Sequence, residues 1–315
     1  MKLIIQIPCL NEAQSLPITL QDLPRKVKGF KKVEWLIIDD GSTDETSEVA
    51  RSLGVDHIVR FSKTKGLAKG FMAGIEACLQ LGADVIINTD ADNQYSAKNI
   101  PDLVKPILDK KADIVIGVRP IQDIKHFSFV KKILQKIGSW TVRFISNTSV
   151  KDAPSGFRAI SKNAALHLNV FNSYTYTLET IIQAGHKNIA ITSVPIDVNE
   201  DLRPSRLLKS IPSYIKKSLT TIIRIFVVYK PFRFFMSIGL FLFISGILIG
   251  LRYLLLIYFD ESNNGHIQSL ILAEILIGMG FQTMLIAFIA DLINVNRNLL
   301  EDIQYQNRKN RLDKK

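Results

Sequence analysis

An α/β domain with a mostly parallel sheet, followed by two long apolar helices, is the fold class this sequence predicts. Three observations carry it. Short apolar runs alternate with helix-like segments through the first half of the chain, carboxylates repeatedly follow those runs, and beyond Pro231 the sequence turns almost continuously apolar. Strands that alternate with helices imply a parallel sheet covered by helices.

The elements follow in order. Residues 3–7 form the first apolar run, and a helix is expected over 15–27, with Pro17 and Pro24 near its limits. Residues 33–38 read as a second buried strand running into Asp39-Asp40-Gly41. Ser42-Thr43-Asp44-Glu45 fits a capping box, with Ser42 as N-cap and Glu45 three residues on, opening a helix that Gly54 stops. A third strand is expected at 57–61, then a helix at 67–81 with Gly70 and Gly74 on one face and Gly82 at its end. The fourth strand, 85–88, leads into Thr89-Asp90-Ala91-Asp92, and the fifth, 114–118, into Arg119. In such sheets ligands lie beyond the carboxyl ends of the strands. Pro8, Asp39-Asp40, Asp90 with Asp92, and Arg119 all fall at such ends.

The second half carries the membrane signal. Residues 234–251 are free of charge and the apolar run resumes over 253–259 after Arg252, while a second run covers 267–293. Each is long enough for a hydrocarbon core, which takes ~20 helical residues, and a soluble helix of that length would show a polar face. The link at 260–266 has no Lys or Arg. Basic residues crowd both outer flanks, among them Arg203, Arg206, Lys216, Lys217, Arg224 and Arg233 before the first run and Arg297, Arg308, Lys309 and Arg311 after the second. The positive-inside rule then places both termini and the first domain in the cytoplasm, with a bacterial inner membrane as the expected setting. Topology accounts for much of the net charge of +11, so no nucleic-acid partner is expected. The mixed basic and apolar segment 206–229 reads as helices lying at the lipid interface. The expected division is thus a catalytic domain over 1–205, juxtamembrane interfacial helices over 206–230, two transmembrane helices within 231–293 (about 232–256 and 267–293), and a basic cytoplasmic tail over 294–315. The start of the chain is too short and too soon charged for a cleavable signal.

Cys9 and Cys78 are far apart, without metal-ligand spacing, and read as core residues of a protein in a reducing compartment. The five histidines also lack ligand spacing. Asp90 and Asp92, one residue apart at a strand end, suit Mg²⁺ or Mn²⁺, which can bridge to a diphosphate. The sequence lacks both the phosphate-binding loop of P-loop NTPases and a Gly-x-Gly-x-x-Gly after the first strand.

Ile7-Pro8-Cys9-Leu10-Asn11-Glu12, Ile37-Ile38-Asp39-Asp40-Gly41-Ser42-Thr43-Asp44 and Asp90-Ala91-Asp92-Asn93-Gln94, in that order, resemble the motifs of glycosyltransferase family 2. Pro154-Ser155-Gly156-Phe157-Arg158 is similar to an element of dolichol-phosphate mannose synthases and their bacterial polyprenyl-phosphate relatives. The resemblance spans about residues 2–206 and implies a GT-A fold. It implies Pro8, Asn11, Glu12, Asp39, Asp40, Lys69 and Asp90 around a nucleotide, with the choice between Asp39 and Asp40 for the base left open. It implies metal ligation by Asp90 and Asp92, and donor-site or supporting roles for Gln94 and Arg158. Arg203 and Arg206 resemble the element that clamps an acceptor phosphate, and Arg119 is a further candidate for the site. Tyr174, Tyr176 and Glu179 could border the sugar or lipid, or simply begin a helix. Tyr95-Ser96 and Gly156-Phe157 depart from the relatives, leaving no carboxylate for a general base.

The expected partners are a nucleoside diphosphate sugar, a polyprenyl phosphate and the membrane, with room for a homo-oligomer. The expected reaction is metal-dependent, inverting transfer of one sugar to the lipid phosphate. Another membrane acceptor, such as a glycolipid or lipid-linked glycan, is the alternative, and a non-catalytic scaffold that binds a nucleotide sugar is the distant one.

Overall fold

The computed structural model describes residues 1–120, 129–170, 176–199, 220, 223–224, 226–259 and 267–313, with the backbone alone for 129–135 and 259. The chain divides into two compact units, Met1–Leu219 with Asp302–Lys315, and Thr220–Glu301.

In the first unit a seven-stranded sheet runs β3-β2-β1-β4-β6-β5-β7. Its strands are β1 (Lys2–Cys9), β2 (Lys32–Asp39), β3 (His57–Arg60), β4 (Val85–Asn88), β5 (Ile114–Val118), β6 (Arg158–Ser161) and β7 (Ile191–Pro195). Only β6 is antiparallel, pairing with β4 on one side and β5 on the other. Continuous apolar runs suit strands buried on both faces, and β4 and β5 fall where such runs predict them. Leu3, Ile5 and Ile7 point to one face, where they join a core with Leu16 and Leu20 of α1 (Leu16–Asp22) and with Leu103 and Val104 of α4 (Ile100–Leu108). On the opposite face α3 (Leu67–Gln80) packs on β1 and β2, with Gly70 and Gly74 against Ile38 and Gln6.

Three expectations change. α1 stops at Asp22, well short of residue 27, and Leu23 is already extended ahead of Pro24. The capping box does not form: α2 (Thr46–Ser52) has Glu45 as its N-cap without a side-chain cap bond. Ser42 is committed elsewhere, its hydroxyl accepting the Asn11 N–H at 3.0 Å and its own N–H donating to Asp39 at 2.7 Å. Beyond β5 lies α5 (Phe129–Ser146), an 18-residue helix that the sequence pattern does not predict, followed by α6 (Lys162–His167) and α7 (Thr177–His186). Cys9 and Cys78 are buried free thiols, as expected, and burial raises both above their ordinary pKa.

The second unit holds α8 (Pro231–Phe259) and most of α9 (Ile267–Asp313), both long and apolar enough to cross a membrane. Their apolar side chains are largely exposed, with Phe241 at 70%, unlike core helices of a soluble protein. The two helices approach closely where Gly239 meets the Gly280 carbonyl and Gly246 the Ala273 carbonyl, the small-residue contact that helices use in lipid. Near the end of this unit Arg297 bonds Glu301 and the Tyr229 hydroxyl.

The last turns of α9 belong to the first unit. There Arg308 pairs with Glu76 of α3 at 3.2 Å and donates to the carbonyls of Leu166 (3.3 Å) and Leu168 (2.7 Å), while Tyr305 stacks on His167. The basic residues expected as a tail therefore include one that ties down the free carbonyls at the end of α6. The expected interfacial segment lies mostly outside the described residues, although Thr220, Ile223, Arg224 and residues 226–229 are helical.

Candidate active site

The carboxyl ends of β1, β2, β4 and β5 converge on one edge of the sheet. At β2, the fully buried Asp39 accepts from the Ser42 N–H and the Ser47 hydroxyl, with Arg60 at 3.4 Å. Burial alone would raise its pKa, but these partners outweigh it and hold the carboxyl below the usual range. Asp40 accepts the N–H groups of Lys65 (2.7 Å) and Gly66 (2.9 Å), organising the turn that enters α3. Asn11, in the left-handed region at φ 55°, receives the Thr43 N–H at 2.8 Å. The N–H of Glu12 meets the Thr46 hydroxyl at 2.9 Å. Together these bonds build the wall of an open cavity of about 510 Å³ lined by Gly41, Ser42, Thr43, Arg60, Phe61 and Ser62. Pro8 is the next-to-last residue of the β1 ladder, paired with Ile38, and Lys69 is exposed in the first turn of α3.

At β4, Asp90 and Asp92 are half-buried. A Cβ placed on Gly156 would lie 3.1 and 3.2 Å from the two carboxylate oxygens of Asp90, so this residue rests against bare backbone. Burial, then the charge of Asp92, push the Asp90 carboxyl above its ordinary pKa, and Arg119 and Arg158 draw it partly back. Asp92 accepts the Gln94 N–H at 3.2 Å. This donor set fits a hard divalent cation: two carboxylate side chains on one rim, one of them crowded by the charge of the other. Among the described residues no group of three or more His, Cys, Asp or Glu could hold a metal. The other positions around such a cation would fall to phosphate oxygens and water, the usual manner for Mg²⁺.

A buried network fixes the floor beneath Asp90. Gln6 donates to Asn88, and Asn88 in turn donates to the Gly156 carbonyl (2.9 Å) and the Tyr176 hydroxyl (2.8 Å). The Gly156 N–H donates to the Tyr95 hydroxyl at 3.0 Å. Tyr176 is interior, stacked on Phe71 at 3.9 Å, and does not border an open site. Glu179 is likewise buried on α7, and Tyr174 lies outside the described residues. Arg158 is fully buried and spends its guanidinium on the Ser155 and Ala153 carbonyls and the Thr180 hydroxyl, bracing the 153–156 loop from below. Arg119 forms a bidentate pair with the buried Asp152 at 2.8 and 3.0 Å. Asp152 was not singled out from the sequence, because a lone acid 33 residues from its partner carries no local pattern. Arg203 and Arg206 lie outside the described residues.

Comparison with known proteins places this geometry. Residues 4–174 match the model of glycosyl transferase family 2. An undecaprenyl-phosphate mannosyltransferase of Micrococcus luteus is 27% identical over 66% of this chain and 88% of its own length. A polyprenol monophosphomannose synthase of Mycolicibacterium smegmatis is 25% identical over 62% and 77%. Among solved structures, glucosyl-3-phosphoglycerate synthase of Mycobacterium tuberculosis, in complex with Mn²⁺, UDP and glucosyl-3-phosphoglycerate, aligns with a TM-score of 0.54. It is 18% identical over 72% of this chain and 78% of that one. At that identity the likeness shows the fold, which is GT-A. With the family model covering more than half of the sequence and its motifs gathered at one sheet edge, the chain belongs to glycosyltransferase family 2.

Proposed function

We propose that this glycosyltransferase moves one sugar from a nucleoside diphosphate sugar to a polyprenyl phosphate at the cytoplasmic face of a membrane, with inversion at the anomeric carbon. The observation that carries the reading is the seating of Asp90 and Asp92 at the end of β4, above the Gly156 backbone, in a chain that also has two helices long enough to span a bilayer. The relatives named for polyprenyl-phosphate substrates support the acceptor class.

Asp90 and Asp92 would hold Mg²⁺ or Mn²⁺, which when bound neutralises charge on the departing nucleoside diphosphate. The remaining work falls to the chain. Asn11, Glu12, Asp39 and Asp40 stiffen the nucleotide wall through the bonds described above, with Pro8 and Lys69 beside it. Gln94, anchored by its N–H to Asp92, lies at the sugar end. Arg119, oriented by Asp152, adds positive charge beside Asp90. Arg203 and Arg206 hold the acceptor phosphate. That phosphate is its own nucleophile, since its second pKa is about 6 and it is ionised at neutral pH. No general base is needed, which suits the carboxylate-free Gly156-Phe157 step of the loop. Positioning and charge stabilisation then supply the rate.

The test incubates the purified full chain with Mn²⁺, a short-chain polyprenyl phosphate and a panel of radiolabelled nucleotide sugars. Label should enter the organic phase with one donor. Label appearing only in another membrane lipid would favour the alternative acceptor, and no transfer from any donor by folded, metal-supplied protein would overturn the reading.

A further inference from the structure

Two opposite charges stand inside the apolar helices without a partner among the described residues. Arg252 interrupts α8 and Glu274 interrupts α9, both side chains are exposed, and neither has a hydrogen bond or an ion pair. Exposed apolar side chains flank each: Leu248, Leu251 and Leu255 beside Arg252, Ile271 and Ile275 beside Glu274. Charges at such positions are costly in hydrocarbon and pair with one another or face protein and water. The hairpin does not bring these two together. A Cβ on Gly250 would lie 3.8 Å from that of Ala273. Arg252, two positions further on, is turned about 200° round α8 and so away from α9, while Glu274, one position past Ala273, is turned about 100° round α9 onto its flank. Along the helix axes the gap is short. Gly246 is level with Ala273 and Ile277, so Glu274 lies beside it and Arg252 stands six residues, about 9 Å, nearer the link between the helices. Cα–Cβ bonds tilt toward a helix's N-terminus, and the two helices run in opposite directions. Arg252 therefore leans back toward the level of Glu274, and Glu274 leans out toward that of Arg252.

We propose that Arg252 of one copy pairs with Glu274 of a neighbouring copy inside the bilayer, joining copies of this chain head to tail. A second copy is the fitting partner because the chain itself carries both complementary charges, at depths their side chains bridge, and leaves both unmatched within the hairpin. The two residues occupy different faces, so each copy gives its arginine to one neighbour and its glutamate to another, the heterologous contact from which rings are built. The inference goes beyond the transfer reaction and rests only on the two helices crossing a bilayer.

Full chains carrying a donor or an acceptor fluorescent protein are reconstituted into phosphatidylcholine–phosphatidylglycerol vesicles, and energy transfer is read across a lipid dilution series. Arg252→Glu and Glu274→Arg should each weaken association about tenfold, within the range for coupled residues, because each opposes like charges. Donor-labelled Arg252→Glu mixed with acceptor-labelled Glu274→Arg should restore the transfer, since opposite charges then meet at both contacts of every copy. Arg252→Gln and Glu274→Gln guard against poor insertion of the reversed charges: the neutral double variant should associate no worse than either single one. Absence of transfer in the parent would overturn the proposal and assign the two charges to another membrane protein or to lipid headgroups. Equal transfer in the parent and the single variants would overturn it as well. So would inserted single variants that fail to recover on mixing, or a neutral double variant whose loss equals the two single losses combined. The readout involves no turnover, so its failure and a failure of the transfer assay are separate results.

Discussion

Gly156→Ala probes the seat of Asp90 directly. The added Cβ would sit 3.0 Å from the Tyr176 hydroxyl and 3.1 and 3.2 Å from the Asp90 oxygens, each a few tenths of an ångström inside ordinary contact. Gly156 has no positive φ, so the alanine adds no backbone strain. Tyr176 cannot yield, being stacked on Phe71 and bonded to Asn88. Asp90 must therefore move, by a few tenths of an ångström. Overpacking of this kind costs about 1–3 kcal/mol of stability. A displacement of about 1 Å at a reacting centre costs ~10²-fold in rate, so a shift of a few tenths of an ångström should lower kcat/KM about 3- to 10-fold and raise the Mn²⁺ requirement. Transfer assays across a Mn²⁺ titration, with thermal unfolding of the same detergent-solubilised samples, check both parts. A variant with wild-type rate and an unchanged Mn²⁺ requirement would refute the claim that Gly156 sets the position of Asp90.

Asp92→Asn should reduce transfer by about 10²–10³-fold, as loss of charge stabilisation at a reacting centre does, while expression and membrane insertion stay normal on blots of membrane fractions. Asp152→Asn removes the carboxylate from the buried Arg119 pair, and thermal unfolding should register a loss of about 3–5 kcal/mol. Glu34 is pushed up by burial but held down at about 2 by Lys2, Lys32 and His57. Its stabilisation is complete above the unfolded carboxylate range and is lost as pH falls toward 2. Glu34→Gln should thus cost about 3 kcal/mol at pH 7, and its melting curve should converge on that of the parent near pH 2. Arg308→Ala frees the α6 carbonyls and Glu76, and should cost about 1–3 kcal/mol and speed proteolysis at the end of α9.

What the sequence disclosed, and what it did not, follows from how local each signal is. β4 and β5 are legible because four or five apolar residues in a row bounded by charge allow little else, and the Asp90–Asp92 rim follows from its place after β4. Ser42 looked like an N-cap because its spacing to Glu45 is right; a tertiary bond to Asn11 took the hydroxyl first. α5 escaped notice because its serines and threonine face inward and its aromatics outward, the reverse of the pattern that marks a helix on a core. Arg158 and Tyr176 carry residue types suited to a site, yet burial turns both into supports. The pairing of Arg308 with Glu76 joins residues 232 apart, beyond the reach of any local pattern.

Strand β6 has a consequence for how the protein is made. It fills the gap between β4 and β5, and β5 has no direct pairing with β4. A nascent chain that has emerged only as far as β5 thus displays its two aspartates on an unfinished sheet edge and has no glycine seat to receive them. Closure waits for Arg158–Ser161 to insert. Roughly seventy residues separate that strand from Pro231. At ribosomal speeds of about 5–20 residues per second this gives the domain about 4 to 14 seconds to zip shut before the first apolar helix is synthesised.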